Sequence, residues 1–458
     1  MGDSLMKISV IGAGYVGLTQ AAGLAYIHKH HVMCCDINAQ RIMDLNAGKV
    51  PIHEPGLDVW IKACYERGKA WTNEGIHFKN QPGEFKSHPM PDRGTLFFTS
   101  ALGEAAAWGD VIFICVGTPP RADGSVDLSA LAQLKDALWA LDIKDKVIIV
   151  KSTVPPGTTK GMFKDFPQGK GIISYAMNPE FLREGYACFD FENPDRIIIG
   201  YEYISLGSDW FRQIYGGAHI ETCTTTEAEF TKYASNAFLS MKISFAHEVQ
   251  DIAVKYKADP LRILELVGKD SRIGDKFLHP GIGYGGSCFP KDTLGYVHIA
   301  DAVKTDCKLI DATIEINEAQ IPNKARYVCD LINNLGLSKS KIGILGTAFK
   351  EDTDDIRESK AIAFIRYIAG TVGQLKVYDP KAIYNTINLL GNVCAGVTYH
   401  DQISQLDDCD IYIVLTPWAE FVDYLGPKQQ PIIDLRNIPG LLRARGHRSD
   451  PNYFRYGD

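Results

Sequence analysis

Residues 7–17 read Lys7-Ile8-Ser9-Val10-Ile11-Gly12-Ala13-Gly14-Tyr15-Val16-Gly17. The first five form a short apolar run rich in β-branched residues, which predicts a buried strand. Leu18-Thr19-Gln20-Ala21-Ala22-Gly23-Leu24-Ala25 follows and predicts a helix. A second apolar run, Val32-Met33-Cys34-Cys35, ends on Asp36. Strand, glycine turn, helix, strand and acid, in that order, specify a βαβ unit suited to a dinucleotide. The glycines permit the tight turn, admit a pyrophosphate close to the backbone, and let helix pack on strand. The helix N-terminus presents free N–H groups to phosphate oxygens. Asp36 suits the ribose hydroxyls and repels a 2′-phosphate, which selects NAD over NADP. Without a ligand, the same pattern is a tight βαβ turn.

Outward from this unit the chain continues as α/β structure. Val111-Ile112-Phe113-Ile114-Cys115-Val116 and Val147-Ile148-Ile149-Val150 are unbroken apolar runs, as expected of strands buried on both faces. They stop at Gly117-Thr118-Pro119-Pro120 and at Lys151-Ser152-Thr153-Val154-Pro155-Pro156-Gly157-Thr158. Such turns mark the carboxyl edge of a parallel sheet, where ligands bind. From about 209 to 330 the periodicity becomes mainly helical. A long helix begins at Glu227 and meets few breakers before Pro260. Lys232 and Asn236 share one of its faces.

Near residue 341 the α/β pattern returns. Lys341-Ile342-Gly343-Ile344-Leu345-Gly346, Leu375-Lys376-Val377-Tyr378-Asp379-Pro380, residues 410–416 and Pro431-Ile432-Ile433-Asp434 predict further strands. Together they describe a second nucleotide-binding-type fold without the full glycine fingerprint. The expected division is 1–208, 209–330 and 331–458. Residues 64–98 are expected to form a surface insertion or loop excursion. His28, His30 and His31 are expected in a solvated turn after the first helix rather than in a metal site.

Composition bounds the function. The 458 residues suffice for about three domains. Apolar and charged fractions of 45% and 22% are those of a soluble globular protein. A net charge of -7 without a basic block argues against nucleic-acid binding. No apolar run reaches about 18 residues, so no membrane-spanning helix is expected. The first strand starts too early for a secretory signal, and Met6 stands where a myristoylation motif needs Ser or Thr. Eleven scattered cysteines, an odd number, point to reduced thiols and a cytoplasmic protein. No Cys/His spacing suggests a metal.

One cysteine has a distinctive setting: Gly281-Ile282-Gly283-Tyr284-Gly285-Gly286-Ser287-Cys288-Phe289-Pro290-Lys291-Asp292. Glycines allow close backbone approach, and a nearby cation or helix N-terminus lowers a thiol pKa. If a helix starts near Cys288, then Cys288 and Asp292 share a face. The pattern suits a nucleophile, and it also suits a buried cysteine beside a turn.

Taken in order, GAGYVG at 12–17, Asp36, CVGTPP at 115–120, STVPPGT at 152–158 and NPEFLREG at 178–185 form a set. The Lys232–Asn236 helix, GGSCFPKD at 285–292 and FKEDTDDIRES at 349–359 complete it. This set resembles the UDP-glucose/GDP-mannose dehydrogenase family over nearly the whole chain. The resemblance implies an N-terminal Rossmann NAD-binding domain, a long central helix with a helical dimerisation region, and a C-terminal Rossmann-like nucleotide-sugar domain. It implies an NAD-dependent four-electron oxidation of a nucleotide sugar, UDP-glucose first among candidates. GDP-mannose stands as the alternative. The UDP-N-acetylmannosamine branch ranks lower because it usually carries histidine beside its cysteine, whereas this chain has Ser287-Cys288-Phe289. A non-catalytic sensor that kept the fold is a remote reading.

By resemblance Cys288 captures the aldehyde, Lys232 stabilises oxyanions, and Asn236 and Asp292 position a water and the reacting oxygen. Glu180 serves as acid or base, and Thr118 joins the water network. Cofactor contacts implied are Gly12, Gly14, Tyr15, Val16, Gly17, Asp36, Arg41, Thr118, Thr153, Glu184, Lys291 and Arg357. Substrate contacts implied are Glu180, Phe181, Leu182, Lys232, Asn236, Phe277, Gly285, Phe289, Lys350 and Arg436, with Arg272 brought in from a neighbouring subunit. A homo-oligomer, at least a dimer, follows. His279 and Glu351 depart from the pattern, standing where some relatives carry lysine and bacterial relatives often carry proline.

Overall fold

The computed structural model describes residues 5–73, 92–202, 207–391, 394, 396–446 and 450–457. They form two compact units, Met1–Tyr233 and Ala234–Asp458. In the first, eight strands make one sheet: β1 (Lys7–Ile11), β2 (His31–Cys35), β3 (Thr95–Thr99), β4 (Val111–Ile114), β5 (Val147–Val150), β6 (Ser174–Met177), β7 (Ile197–Tyr201) and β8 (Ile220–Cys223). The order is β3-β2-β1-β4-β5-β6-β7-β8. All pairs are parallel except β6 with β7. The first six strands follow the doubly wound dinucleotide order, with the reversal of direction between β1 and β4.

Burial explains the unbroken apolar runs. Every residue of β4 and β5 is buried. Val111 and Phe113 face one core with Ile8, Val10, Leu18 and Val32. Ile112 and Ile114 face the other with Ile11, Met33, Ile148 and Val150. Each such side chain contributes about 1.5–3 kcal/mol, so a polar residue on either face would be costly. Alternation has no place in these strands.

Three expectations for this unit are corrected. Residues 64–73 continue a helix, Leu57–Asn73, and Thr95–Phe98 belong to the edge strand β3. The helical signal is weak because Gly68 interrupts it. A Cβ there would stand 2.9 Å from the Leu96 carbonyl, so packing on β3 demands the glycine. The stretch 74–91 lies outside the described residues. His30 and His31 are buried, not solvated. His30 Nδ1 accepts the Met6 N–H at 3.2 Å while Nε2 meets the Ile214 carbonyl at 3.0 Å. His31 lies in β2 against Thr95 Oγ1. Finally, Ile220–Cys223 within the expected helical stretch is a strand that pairs with β7.

The helix Thr225–Lys255 has 31 residues and no glycine or proline. Thr224 and Glu227 cap its start reciprocally: each backbone N–H meets the other's side chain.

In the second unit, helices Pro260–Gly268, Phe289–Ala302 and Lys308–Asn334 precede a six-stranded parallel sheet. Its strands are β9 (Lys341–Leu345), β10 (Gln374–Tyr378), β11 (Val397–His400), β12 (Ile411–Val414), β13 (Ile432–Asp434) and β14 (Tyr453–Arg455), ordered β11-β10-β9-β12-β13-β14. That is the wiring of the first sheet's first six strands. Gly346 ends β9 at φ +98°, and a Cβ there would lie 2.3 Å from Thr416. Asp379 follows β10 as Asp36 follows β2. Its carboxylate is buried and accepts from the N–H groups of Thr347, Ala348, Lys381 and Ala382 and from Trp418 Nε1.

Candidate active site

The turn after β1 has the geometry a dinucleotide needs. Gly12 has φ +105°, and a Cβ there would lie 2.5 Å from the Cys115 carbonyl oxygen. A Cβ on Gly17 would lie 1.8 Å from the Gly12 carbonyl. The chain itself therefore requires both glycines. Gly14 differs, because a Cβ there meets nothing within 4 Å. It caps the helix Tyr15–Tyr26 without a side-chain hydrogen bond, leaving open space before the helix N-terminus. A pyrophosphate fits that space and those N–H groups. At the tip of β2, Asp36 Oδ2 accepts the Ala13 N–H at 2.7 Å and Oδ1 the Asn38 N–H at 2.8 Å. Arg41 reaches Oδ2 at 3.3 Å. These residues suit NAD. On the next strand tips, Thr118 Oγ1 donates to the Thr153 carbonyl at 2.8 Å and ties the two turns together.

In the same unit, Lys232 and Glu180 make a buried ion pair, Nζ to Oε1 at 2.7 Å. Lys232 also donates to the Glu180 carbonyl, and the Leu182 N–H donates to Oε2, each at 2.7 Å. Burial alone would raise the Glu180 pKa. The Lys232 charge and these hydrogen bonds outweigh it and hold the carboxyl below its ordinary range. Glu180 is therefore ionised at neutral pH. Phe181 lies beside the pair, its ring 5.5 Å from Lys232 Nζ. Glu184 is buried on the same loop.

In the second unit, Cys288 is the N-cap of the helix Phe289–Ala302, with Pro290 in its first turn. The N–H of Asp292 closes the first helical bond to the Cys288 carbonyl at 2.8 Å, so the two share a face, as the spacing predicts. Asp292 is buried and accepts from Asn236 Nδ2 at 2.5 Å and from Lys291 Nζ. Cys288 Sγ is partly buried, 3.5 Å from Ser287 Oγ. A thiol at a helix start, with Lys291 in the helix's first turn, is placed for activation.

Other predicted residues of this unit are placed as follows. Phe277 has φ +65°, a costly conformation for an aromatic residue, and its ring centroid lies 6.0 Å from that of Phe289. A Cβ on Gly285 would stand 2.2 Å from the Glu358 carbonyl, so packing alone accounts for that glycine. Arg436 lies half-buried over Gly281, whose missing Cβ makes room for the guanidinium. Lys350 is half-buried. Arg357 is exposed and pairs with Asp355. Arg272 is 87% exposed and pairs with Asp270, two residues away.

Comparison with known proteins agrees along the chain. The NAD-binding domain of the UDP-glucose/GDP-mannose dehydrogenase family matches residues 6–81 and 87–218, its central domain 226–319 and its UDP-binding domain 343–440. A UDP-glucose 6-dehydrogenase of Bacillus subtilis is 36% identical over 450 residues, covering 96% of this chain and 93% of the relative. One from Rhizobium meliloti is 36% identical over 453 residues, covering 94% and 95%. This chain belongs to the UDP-glucose/GDP-mannose dehydrogenase family. A UDP-glucose dehydrogenase structure from Pyrobaculum islandicum superposes with TM-score 0.81 at 34% identity, covering 99% of this chain and 98% of that one. A UDP-D-ManNAc dehydrogenase structure from Pyrococcus horikoshii gives 0.77 at 26%, covering 99% of each.

As a member of this dehydrogenase family the chain is an NAD-dependent oxidoreductase with a C-terminal UDP-binding domain. Three residues beside the family motifs escaped the sequence reading. Lys151, a buried amine, donates to Asn178 Oδ1 at 2.9 Å, and burial brings its pKa down to about 8. Glu229, one helical turn before Lys232, accepts the N–H groups of Gly157 at 2.5 Å and Thr159 at 2.7 Å. Burial pushes its carboxyl up to about 7 against those bonds. Glu54 is buried in a loop before Leu57–Asn73. The available signal was an acid at an apolar helix position or before a Pro-Gly turn, and for Lys151 a charge directly after an apolar strand. In sequence each is indistinguishable from a solvated charge.

Proposed function

We propose that the chain oxidises UDP-glucose at C6 to UDP-glucuronate, with Cys288 holding the intermediate. The observation that carries this reading is Cys288 at a helix start, one turn from a buried Asp292 already engaged by Asn236 and Lys291. Relatives named as UDP-glucose 6-dehydrogenases support the choice of sugar nucleotide.

Converting CH2OH to a carboxylate removes four electrons. Bound NAD supplies the hydride acceptor, and two molecules are consumed. In the first oxidation the C6–H leaves as hydride, and Asp292 takes the hydroxyl proton through a water that Asn236 orients. Lys232 stabilises the oxyanion, a role that gains strength away from solvent. The Cys288 thiolate adds to the aldehyde carbon, giving a thiohemiacetal that cannot diffuse away. A second hydride leaves and the adduct becomes a thioester. Water then cleaves the C–S bond, releasing the acid and the thiol. Glu180, held ionised by Lys232, acts as base for that water. Thr118 orders the water on the cofactor side, with Thr153, Glu184, Arg41, Lys291 and Arg357 on the dinucleotide. Phe181, Leu182, Phe277, Gly285, Phe289, Lys350 and Arg436 line the nucleotide sugar. The working boundaries are 1–208 for NAD, 209–330 for pairing of subunits and 331–458 for the nucleotide sugar. The protein works in the cytoplasm.

The assembly is a homo-oligomer, at least a dimer. Phe238, Phe245 and Ile252 are 58%, 48% and 54% exposed and recur every seven residues on Thr225–Lys255. That spacing suits a helix seam with a second copy, and the exposed Arg272 suits a neighbour's phosphates once it exchanges its surface pair with Asp270.

The decisive experiment measures NADH release with UDP-glucose, UDP-galactose, UDP-N-acetylmannosamine and GDP-mannose at matched concentrations. Two NADH per UDP-glucose are expected, without free aldehyde. Cys288→Ala should bind both ligands and form no acid. Preference for GDP-mannose would move the chain to the sibling activity. One NADH per product, or near-normal acid from Cys288→Ala, would overturn the mechanism.

A further inference from the structure

Glu54 is a carboxylate only 4% exposed, and no Lys, Arg or His ion pair to it occurs among the described residues. Burying an unpaired charge is expensive unless hydrogen bonds replace its water. Here they do. Oε2 accepts the Tyr15 hydroxyl and the Gly185 N–H at 2.7 Å, and Oε1 accepts the Ala187 N–H at 2.7 Å. The Tyr15 hydroxyl also lies 3.4 Å from the Arg183 carbonyl. Tyr15 is the first residue of the helix that faces the pyrophosphate, and Gly185 follows Glu184 on the loop that carries Glu180. The two segments are some 170 residues apart in sequence. Glu54 comes from a third segment and holds both.

We propose that Glu54 is a positioning residue for the dehydrogenase reaction, locking the dinucleotide turn at Tyr15 to the loop bearing Glu180 and Glu184. Its reach toward catalysis rests on the roles given above to those two acids. Its effect on NAD does not. No strand pairing joins the two among the described residues: Tyr15 opens a helix, and 178–185 is irregular chain. The helix Tyr15–Tyr26 packs on Ala187–Glu192 farther along, and the shared carboxylate fixes how turn and loop meet at Tyr15 and Gly185. A glutamine offers one acceptor oxygen instead of two and turns an NH2 toward a backbone N–H. The tether slackens while the volume is kept.

The test uses Glu54→Gln and Tyr15→Phe in the full-length enzyme. NAD affinity is measured by titration without sugar nucleotide, and kcat and KM are normalised to titrated active sites. Glu54→Gln should weaken NAD binding three- to tenfold and lower kcat at least tenfold. Tyr15→Phe removes the hydroxyl's bond to Glu54 and its 3.4 Å contact with the Arg183 carbonyl, and leaves the Gly185 and Ala187 bonds to Glu54. It should weaken NAD binding at least threefold, with the KM for sugar nucleotide within twofold of wild type. Glu54→Asp, which keeps two acceptor oxygens on a shorter stem, should recover part of the loss. A residue that merely stabilises the fold would lower the active fraction and leave both constants per site unchanged. That result for Glu54→Gln would overturn the proposal. If Glu54→Gln does not fold, Tyr15→Phe decides, and unchanged NAD affinity there overturns it. An enzyme that ignores UDP-glucose defeats the substrate assignment, yet the NAD titrations still judge Glu54.

Discussion

Lys232 and Glu180 answer to two pressures at once. A buried charge whose partner is removed costs about 3–5 kcal/mol, whereas replacing both partners by neutral groups of similar size is often close to neutral. Lys232→Ala should therefore both abolish turnover and lower stability. Lys232→Met/Glu180→Gln should restore most of the stability and none of the turnover. Denaturant unfolding beside NADH release checks the split, and equal recovery of both would count against the oxyanion role. The pH dependence has a definite sign. The Glu180 pKa is lower folded than unfolded, so the pair's contribution is full above the unfolded value of about 4.3. It fades as pH falls through the lower folded value. The wild type's advantage over Lys232→Ala should shrink in acid and stay flat from neutral upward. Sequence spacing placed Cys288 and Asp292 on one face correctly, because a proline in a helix's first turn is a local signal. The buried role of Glu54 was illegible, because its partners lie some 40 and 130 residues away.

Among elements, the turn after β5 shows how a loop is held for ligand. Glu229, from the helix that also carries Lys232, accepts two N–H groups at the start of the helix Thr158–Phe163. In Glu229→Gln only one of them keeps an acceptor. The loss is about 1–3 kcal/mol. Thr153 sits on that turn, so the KM for NAD should rise with little change in the KM for sugar nucleotide. Parallel thermal melts and steady-state kinetics test this, and a variant as stable as wild type would refute the anchoring. Strands buried on both faces were readable because an unbroken β-branched run admits few alternatives. Leu57–Asn73 was not, because its breaking glycine is explained only by contact with a strand distant in sequence.

For the whole molecule, the exposed seven-residue series of Phe238, Phe245 and Ile252 is the feature to challenge. Phe238→Glu/Phe245→Glu places charges on a seam that a second copy would bury. Sedimentation should show a lighter species, and activity should fall with it. Arg272→Ala should keep the assembly and mainly raise the KM for sugar nucleotide. A fully active monomer would dismiss the shared site.

The second sheet repeats the order of the first sheet's first six strands, and the carboxylate after its second strand in sequence is used differently. Asp36 keeps company with two backbone N–H groups and an arginine at a tip where ligand space is open. Asp379 is consumed by five donors of its own chain. Both ligands of this enzyme carry a nucleoside diphosphate, so two copies of one scaffold invite cross-occupancy. With its ribose anchor already spent, the C-terminal copy gives a dinucleotide little to grip. NAD well above saturation is therefore expected not to compete with the sugar nucleotide, which initial rates at rising NAD and low sugar nucleotide would check.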